Sequence, residues 1–561
     1  MRRALPLALA AVLLAGGLYF LVRPRQVEPP AVPQHAVAAM RSEPRSFNRY
    51  VARERASHLV SVLMHARLVR IQLDTQEVEP WLITAHQIGD GGRSLTLTLR
   101  DDVVWSDGAP FTSEDVAFSF KAAFDPSVKS TVADALMVAG QPVQCEVLGP
   151  HQVKLTYAEP TAAALRTLDG LPILPQHVLG AALEAGTFRD QWTTTTPPAQ
   201  LVGLGPFLLE SYAPGERLVF VRNPRYFRKG FPKLDRLTVQ IVPDQNAEFL
   251  QVSNGGLDVM TGDLRPDDLA AARTAAEAGT VRLHDVGVGL DPDMLWLNLK
   301  AEADGGVSGW KRRDEFRIAL SKAVDRTTMA NAVYQGQGVA VDGFVTPGNK
   351  AWFDPTRTMT PFDLAASKAL LDTIGLTDRN GDGQRDAPDG SPARLTVLTQ
   401  KGNAARERGA AFLQQAVRAV GLALDVVPLE QGALVEAITT GKYEAAYFGA
   451  LASDTDPASQ LNFWMSSGSF HPWNPAQATP ATPWEAEIDR LMQLQVRSLD
   501  PAERTRLFAE VQKTFAAAQP AIYFAVPRVT VVTSRRLAGV RPGILQPSVL
   551  WNADDLSIVG R

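Results

Sequence analysis

Residues 99–120 read LRDDVVWSDGAPFTSEDVAFSF. Val103, Val104 and Trp105 are β-branched or aromatic and favour a strand, which Ser106-Asp107-Gly108 then turns. After Ala109-Pro110-Phe111, Thr112 is placed to cap a helix N-terminus. Glu114 and Asp115 bring negative charge to its first turn, where the helix dipole is positive. Val116, Ala117, Phe118 and Phe120 give that helix a face to bury. No residue of the stretch is placed for chemistry, so on physical grounds it is a scaffold of strand, turn and helix.

Just upstream, Leu95, Leu97 and Leu99 alternate with Thr96, Thr98 and Arg100, as in a half-buried strand, and Asp90-Gly91-Gly92 makes the preceding turn. At the start of the chain, Arg2-Arg3 precede an apolar run over residues 4–22, followed by Arg23 and Arg25. A positive end ahead of an apolar core is an export signal. The run is also close to the ~20 residues of a spanning helix, so residues 1–25 read either as a cleaved signal peptide or as an N-terminal membrane anchor. No cysteine follows it to carry a lipid. Residues 26–37, rich in Pro and Val and without periodicity, read as a linker.

The chain has 561 residues, a net charge of −4 and one cysteine, Cys145. The length allows two or three domains, the charge gives no reason to expect nucleic acid, and an internal disulfide is excluded. Farther along, residues 203–227 (GLGPFLLESYAPGERLVFVRNPRYF) read as a turn, a strand at 207–212, the hairpin turn Ala213-Pro214-Gly215-Glu216 and a returning strand at 218–222. Residues 237–253 follow, before Asn254-Gly255-Gly256-Leu257-Asp258-Val259. Residues 314–329 (DEFRIALSKAVDRTTM) place Phe316, Ala319, Leu320, Ala323 and Val324 at helical spacing. Arg317 and Asp325 read there as a solvated or bridging ion pair.

Residues 393–449 are the most legible. Strand 393–399, helix 404–420 ended by Gly421, a strand from Leu422, a short helix stopped by Gly441 and a strand at 443–448 make successive βαβ units of a parallel sheet. Ligands of open α/β sheets sit beyond the carboxyl ends of the strands. That rule nominates Thr399-Gln400-Lys401 and the stretch from Gly449 to Asp456.

Taken in order and spacing, the strings at 99–120, 203–259 and 314–329 resemble the peptide/nickel-binding family (family 5) of extracytoplasmic solute-binding proteins of ABC importers. The resemblance implies an α/β, two-lobe hinged periplasmic-binding-protein fold of type II-like kind, with an extra α+β domain inserted in the first lobe. It implies a first lobe of 38–76, 203–290 and 531–557, an inserted domain at 77–202 and a second lobe at 291–530. The implied function is capture of an oligopeptide or dipeptide outside the cytoplasmic membrane, without catalysis, and delivery to a permease and ATPase complex by a monomer. Another solute, such as an oligosaccharide, is the alternative within the fold. In peptide-binding members an aspartate in the segment matching 449–457 pairs with the ligand amine. Alignment on Asp456-Pro457 puts Ser453 there, with Asp454 beside it.

The ligand-binding set is therefore Gly449, Ala450, Leu451, Ala452, Ser453, Asp454 and Asp456. Trp464 and Trp473 join it as aromatic surfaces suited to a cleft; Trp296 and Trp352 lie in the same half. Asp378, Asn380, Asp382 and Asp386, with Asp389 and a central Gly383, match a calcium-loop spacing. Position 12 holds Asp rather than Glu, and position 8 holds Arg385 rather than an apolar anchor, so an ordinary turn and a structural calcium both stand; no other cofactor is expected. The eight histidines form no metal-spaced pair, and no nucleophile elbow or phosphate loop occurs. An extracytoplasmic hydrolase or a calcium-stabilised surface interaction protein are the readings from other classes.

Overall fold

The computed structural model describes residues 33–300, 309–449, 454–475 and 477–560. The helix at the heart of the opening stretch forms as Ser113–Phe124, closed by a capping box between Thr112 and Asp115. The buried Asp115 carboxylate accepts from Thr112 N (3.0 Å), Gln176 N (2.9 Å) and Trp105 Nε1 (3.1 Å). Burial nevertheless outweighs these bonds and pushes its carboxyl above the ordinary range. The strand expected at 103–105 is corrected: Trp105 N donates to Ala109 O (2.8 Å) and Phe111 N to Val103 O (3.1 Å), leaving only an isolated bridge from Val104 to Pro110. The turn at Gly108, whose N donates to Trp105 O (2.9 Å), folds the chain back before a longer ladder can form.

That helix packs on an antiparallel sheet of order Ile83–Gly89, Ser94–Leu99, Gln152–Thr156, Gln144–Gly149. Leu95, Leu97 and Leu99 point into its core, as their alternation requires. A second sheet runs His35–Met40, Arg236–Ile241, Phe207–Ala213 by way of Arg217–Arg222, with the first pair parallel and the rest antiparallel. The linker expected to reach residue 37 is therefore shortened, because His35, Ala36 and Val37 already pair with Arg236, Leu237 and Thr238.

In the third sheet, Arg394–Gln400 lies between Ala423–Leu429 and Ala445–Gly449, parallel to both. The two crossover helices, Ala404–Arg418 and Gln431–Thr439, bury Leu413 and Val417 in one core cluster and Leu434 and Ile438 in another. Strand order thus reverses at Arg394–Gln400, the kind of position where open sheets carry ligands. The strand Ala521–Ser534 ties the lobes together. Its first part pairs with Asp293–Leu297 and Gly338–Ala340, its last part with Val281–Val288. Gly289 N donates to Pro527 O (2.8 Å) where these two crossing segments meet.

The single helix expected at 314–329 is two, Asp314–Lys322 and Arg326–Tyr334. Asp325 breaks it by capping the second, accepting from Thr327 N (3.0 Å) and Thr328 N (3.1 Å). Arg317 does not pair with it. Its buried guanidinium meets Asp314 (2.5 Å) and Ala518 O (2.9 Å). Among the described residues no helix is long and apolar enough to cross a membrane; the apolar run 4–22 lies outside them.

Two histidines of the first lobe predict an acid-sensitive fold. Burial first, and then the charge of Arg67, hold His65 down to about 4 and His58 to about 3. Both are neutral in the folded protein, while in the unfolded chain they protonate near 6.5. The unfolded state therefore binds more protons below about pH 6.5, so stability is full above that value and falls as pH drops towards the folded-state values. Each histidine contributes about 1.4 kcal/mol per pH unit in that window. Urea midpoints measured from pH 7 to pH 5 should fall, and His65→Gln should flatten the fall; a pH-independent midpoint would count against the assignment.

Candidate functional site

The sheet switch point brings together a charged cluster at the carboxyl ends of the parallel strands. Asp293 opens its strand opposite Gly449. It accepts from Arg406 Nε (2.9 Å), on the first crossover helix, and from Tyr334 OH (3.1 Å). Arg406 also donates to Gln400 and lies 4.1 Å from the Phe448 ring centre. Burial, then the negative charge of Asp293, raise the Tyr334 and Tyr447 hydroxyls well above the ordinary range, so both remain protonated donors. Gly449 leaves room for the Arg406–Asp293 pair to close over the strand end. A Cβ there would sit 2.7 Å from both Arg406 Nη2 and Asp293 Oδ1.

Ala450, Leu451, Ala452 and Ser453 lie outside the described residues. Where the chain is next described, Asp454 faces the inserted domain. Arg166, on the short helix Ala164–Thr167, grips it with Nε to Oδ1 and Oδ2 (2.9 and 2.8 Å) and Nη2 to Oδ1 (2.6 Å). The same guanidinium reaches Gln76 O (2.7 Å) and Thr455 Oγ1 (3.0 Å). Burial opposes its charge, but the bonds and charge of Asp454, with the charges of Asp456 and Asp169, hold its pKa above the usual arginine value. Asp456 turns the other way. It is buried against Arg504 (2.6 and 3.0 Å) and caps the turn at Pro457–Gln460. It is thus in a buried structural ion pair with Arg504, 48 positions away in sequence, while Asp454 pairs with Arg166, 288 positions away.

Trp464 and Trp473 are corrected as cleft surfaces. They are 2% and 1% exposed, packed edge-on against Phe515 and Phe463 in the core of the second lobe. Trp296 is in the same core cluster. Their bulk fills the space between the sheet and the helices Pro483–Arg497 and Pro501–Ala518, where a wide apolar side chain gains most from burial.

The calcium-spaced residues form a turn. Asp378 accepts from Gly381 N (2.7 Å) and Gly383 N (2.9 Å), Asp382 from Gln384 N (2.7 Å) and Asn380 Nδ2 (3.1 Å), and Asp386 from Arg379 N (3.0 Å). Arg385 is the buried anchor beneath, donating to Val420 O (2.7 Å). Among the described residues no group of three or more His, Cys, Asp or Glu is placed to hold a metal.

Sequence reasoning missed Arg166, Gln76, Asn349 and Arg504. Each acts on a partner in a distant part of the chain, and nothing local marks them. Asn349 Nδ2 donates to Thr455 O (2.9 Å) and Gln76 Nε2 to Gly348 O (2.9 Å), so the tip of the hairpin Val69–Pro80 joins the same network. The arrangement offers paired charges and amides between lobes, suited to holding a polar solute.

The family model for bacterial extracellular solute-binding proteins, family 5 (middle part), matches residues 77–471. The chain belongs to that family. It is 25% identical over 545 residues to a probable ABC transporter-binding protein of Deinococcus radiodurans, covering 92% of this chain and 91% of the relative. It is 24% identical over 521 residues to the oligopeptide-binding protein AppA of Bacillus subtilis, covering 89% and 87%. Among solved structures, NikA of Brucella suis in complex with Fe(III)-EDTA superposes with a TM-score of 0.77 at 19% identity, covering 94% of this chain and all of that one. This family 5 protein accordingly has the two-lobe fold of periplasmic binding proteins and is the solute-binding component of an ABC importer.

Proposed function

We propose that this solute-binding protein captures short peptides with a free N-terminus outside the cytoplasmic membrane and passes them to its permease, without turnover. The observation that carries the reading is Asp454, a carboxylate held between the lobes and paired to a cation, Arg166, of the inserted domain. A ligand ammonium is the chemical equivalent of that cation, and burying it without a carboxylate costs several kcal/mol. The oligopeptide-binding relative supports peptide as the solute class. Closure around the ligand stabilises one arrangement of the lobes, pivoting where 288–293 and 525–529 cross, and the closed form is what a permease reads. Residues 1–25 serve as the export signal or anchor.

Native mass spectrometry of protein purified without denaturation tests the reading. Co-purifying peptides released intact are the expected result. An oligosaccharide or a metal chelate in their place would overturn it, as would hydrolysis of an added peptide.

A further inference from the structure

A groove of about 420 Å³ lies between the helix Asp314–Lys322, the segment 357–361 and the last turn of the helix Pro501–Ala518. It shares no residue with the network around Asp454. Ile318, Met359, Pro361, Ala516 and Ala517 give it an apolar wall, and its long charged side chains are the cations Lys322, Arg357 and Lys513. The one carboxylate that lines it, Asp342, is already spent on Arg326 (2.7 Å), Thr360 N (2.7 Å) and Thr360 Oγ1 (3.0 Å). Arg357 donates to the Asp342 carbonyl. Lys513 reaches Glu510 only across 3.7 Å at an exposed site, and Lys322 is in no ion pair among the described residues. Gln519, 7% exposed, lines the same groove. Its Nε2 donates to Thr360 Oγ1 (2.9 Å), and because that hydroxyl gives its own proton to Asp342 it can only accept from the amide. The amide is thereby oriented with Oε1 left over, and Oε1 has no partner among the described residues. A buried acceptor in that state calls for a donor. Ala516 adds a second acceptor: the amide four residues on, which a continuing helix would offer its carbonyl, belongs to Pro520 and has no N–H.

We propose that this groove docks an acidic, extended segment of a partner protein. Carboxylates of the segment pair with Lys322 and Lys513, a main-chain N–H of the segment fills Gln519 Oε1, and an apolar side chain rests on Met359. Charge sets the sign of the occupant, because the cations lining the groove outnumber a single carboxylate that is neutralised from within. The amide oxygen sets its class, because a phosphate backbone brings no N–H donor and a peptide backbone brings one at nearly every residue. Thr358, Met359, Pro361, Lys513 and Ala517 are exposed, so the groove is open along one side. That shape suits a length of chain laid across it better than a small solute, which a site of its own would enclose. The docking role goes beyond solute capture and stands whatever the solute is.

The test is fluorescence anisotropy of a labelled peptide of alternating aspartate and leucine, acetylated at its N-terminus, with the full chain at low ionic strength. Excess trialanine is present to occupy the solute site. The parent should bind the peptide, and the double variant Lys322→Glu/Lys513→Glu should bind it roughly 10-fold more weakly, the loss expected of two partly exposed ion pairs. The same peptide with lysine in place of aspartate should not bind. Methylating the main-chain nitrogens of the acidic peptide should weaken its binding to the parent, and in Gln519→Met the plain and methylated peptides should bind alike. No binding to the parent, parental affinity in the lysine variant, or equal binding of the basic peptide would each overturn the proposal. So would a methylation penalty that is absent from the parent or persists in Gln519→Met. Self-association of the parent that the lysine variant abolishes would also overturn it, because the occupant would then be a second copy of this chain.

Discussion

Asp454→Asn should weaken binding of a peptide with a free N-terminus by about 2–5 kcal/mol, the range for truncating one partner of a buried charge pair. In affinity that is roughly 30-fold at the least. The substitution keeps shape and one acceptor, so the loss reports charge. It also strips Arg166 of the carboxylate that now takes three of its hydrogen bonds. An N-acetylated peptide separates the two consequences. It brings no ammonium, so its affinity should change far less. Equal losses for both peptides would mean that the released arginine has disturbed the lobes, and no loss for either would remove Asp454 from the site.

The second large effect concerns stability. Asp258, 1% exposed, accepts from Val37 N (2.8 Å), Ser534 Oγ (2.7 Å) and Arg536 Nε and Nη2 (both 2.6 Å). It thereby joins the first strand, the loop after the helix Gln245–Ser253 and the return of the chain into the first lobe. Asp258→Ala leaves a guanidinium, a hydroxyl and an amide without their partner. Asp258 is buried but Arg536 is 36% exposed, so water takes over part of the guanidinium's hydrogen bonding and the loss comes mainly from the buried Ser534 hydroxyl and the Val37 amide, about 1–3 kcal/mol. Urea unfolding monitored by circular dichroism should show the first transition moved to lower denaturant by that amount. A midpoint within error of the parent would refute this account of how the first lobe is closed.

Much of this architecture was legible in the chain because its signals are local. The run 393–449 carries apolar periodicity and glycine stops at Gly421 and Gly441, and each acts within a few residues. The parallel strands and crossover helices consequently lie within a residue or two of their expected bounds. Thr112 announced its cap for the same reason, while the reciprocal bond from Asp115 that completes a capping box came only with the structure. Local signals also misled. Val103-Val104-Trp105 has strand propensity, but the chain turns straight back at Gly108, whose N donates to Trp105 O, so only the single Val104–Pro110 bridge forms. Residues 314–329 keep helical spacing throughout, yet the Asp325 side chain competes for the backbone and starts a new helix.

The site divides along the same line. By itself the sequence determined the direction of the 393–449 strands, and so nominated their carboxyl ends, Asp454 among them, as a place for a ligand, because strand direction and crossover handedness follow from short-range chemistry. Only the tertiary structure decided which of the nearby residues are taken into a core and which pair with a distant part of the chain. It buried Trp464 and Trp473 in the lobe, since a large apolar ring gains the same transfer energy wherever water is excluded and its sequence neighbourhood cannot say where that is. It turned Asp456 inward to Arg504 and Asp454 outward to Arg166, 288 positions away. An ion pair depends on distance in space, and one sequence records that distance only through the fold.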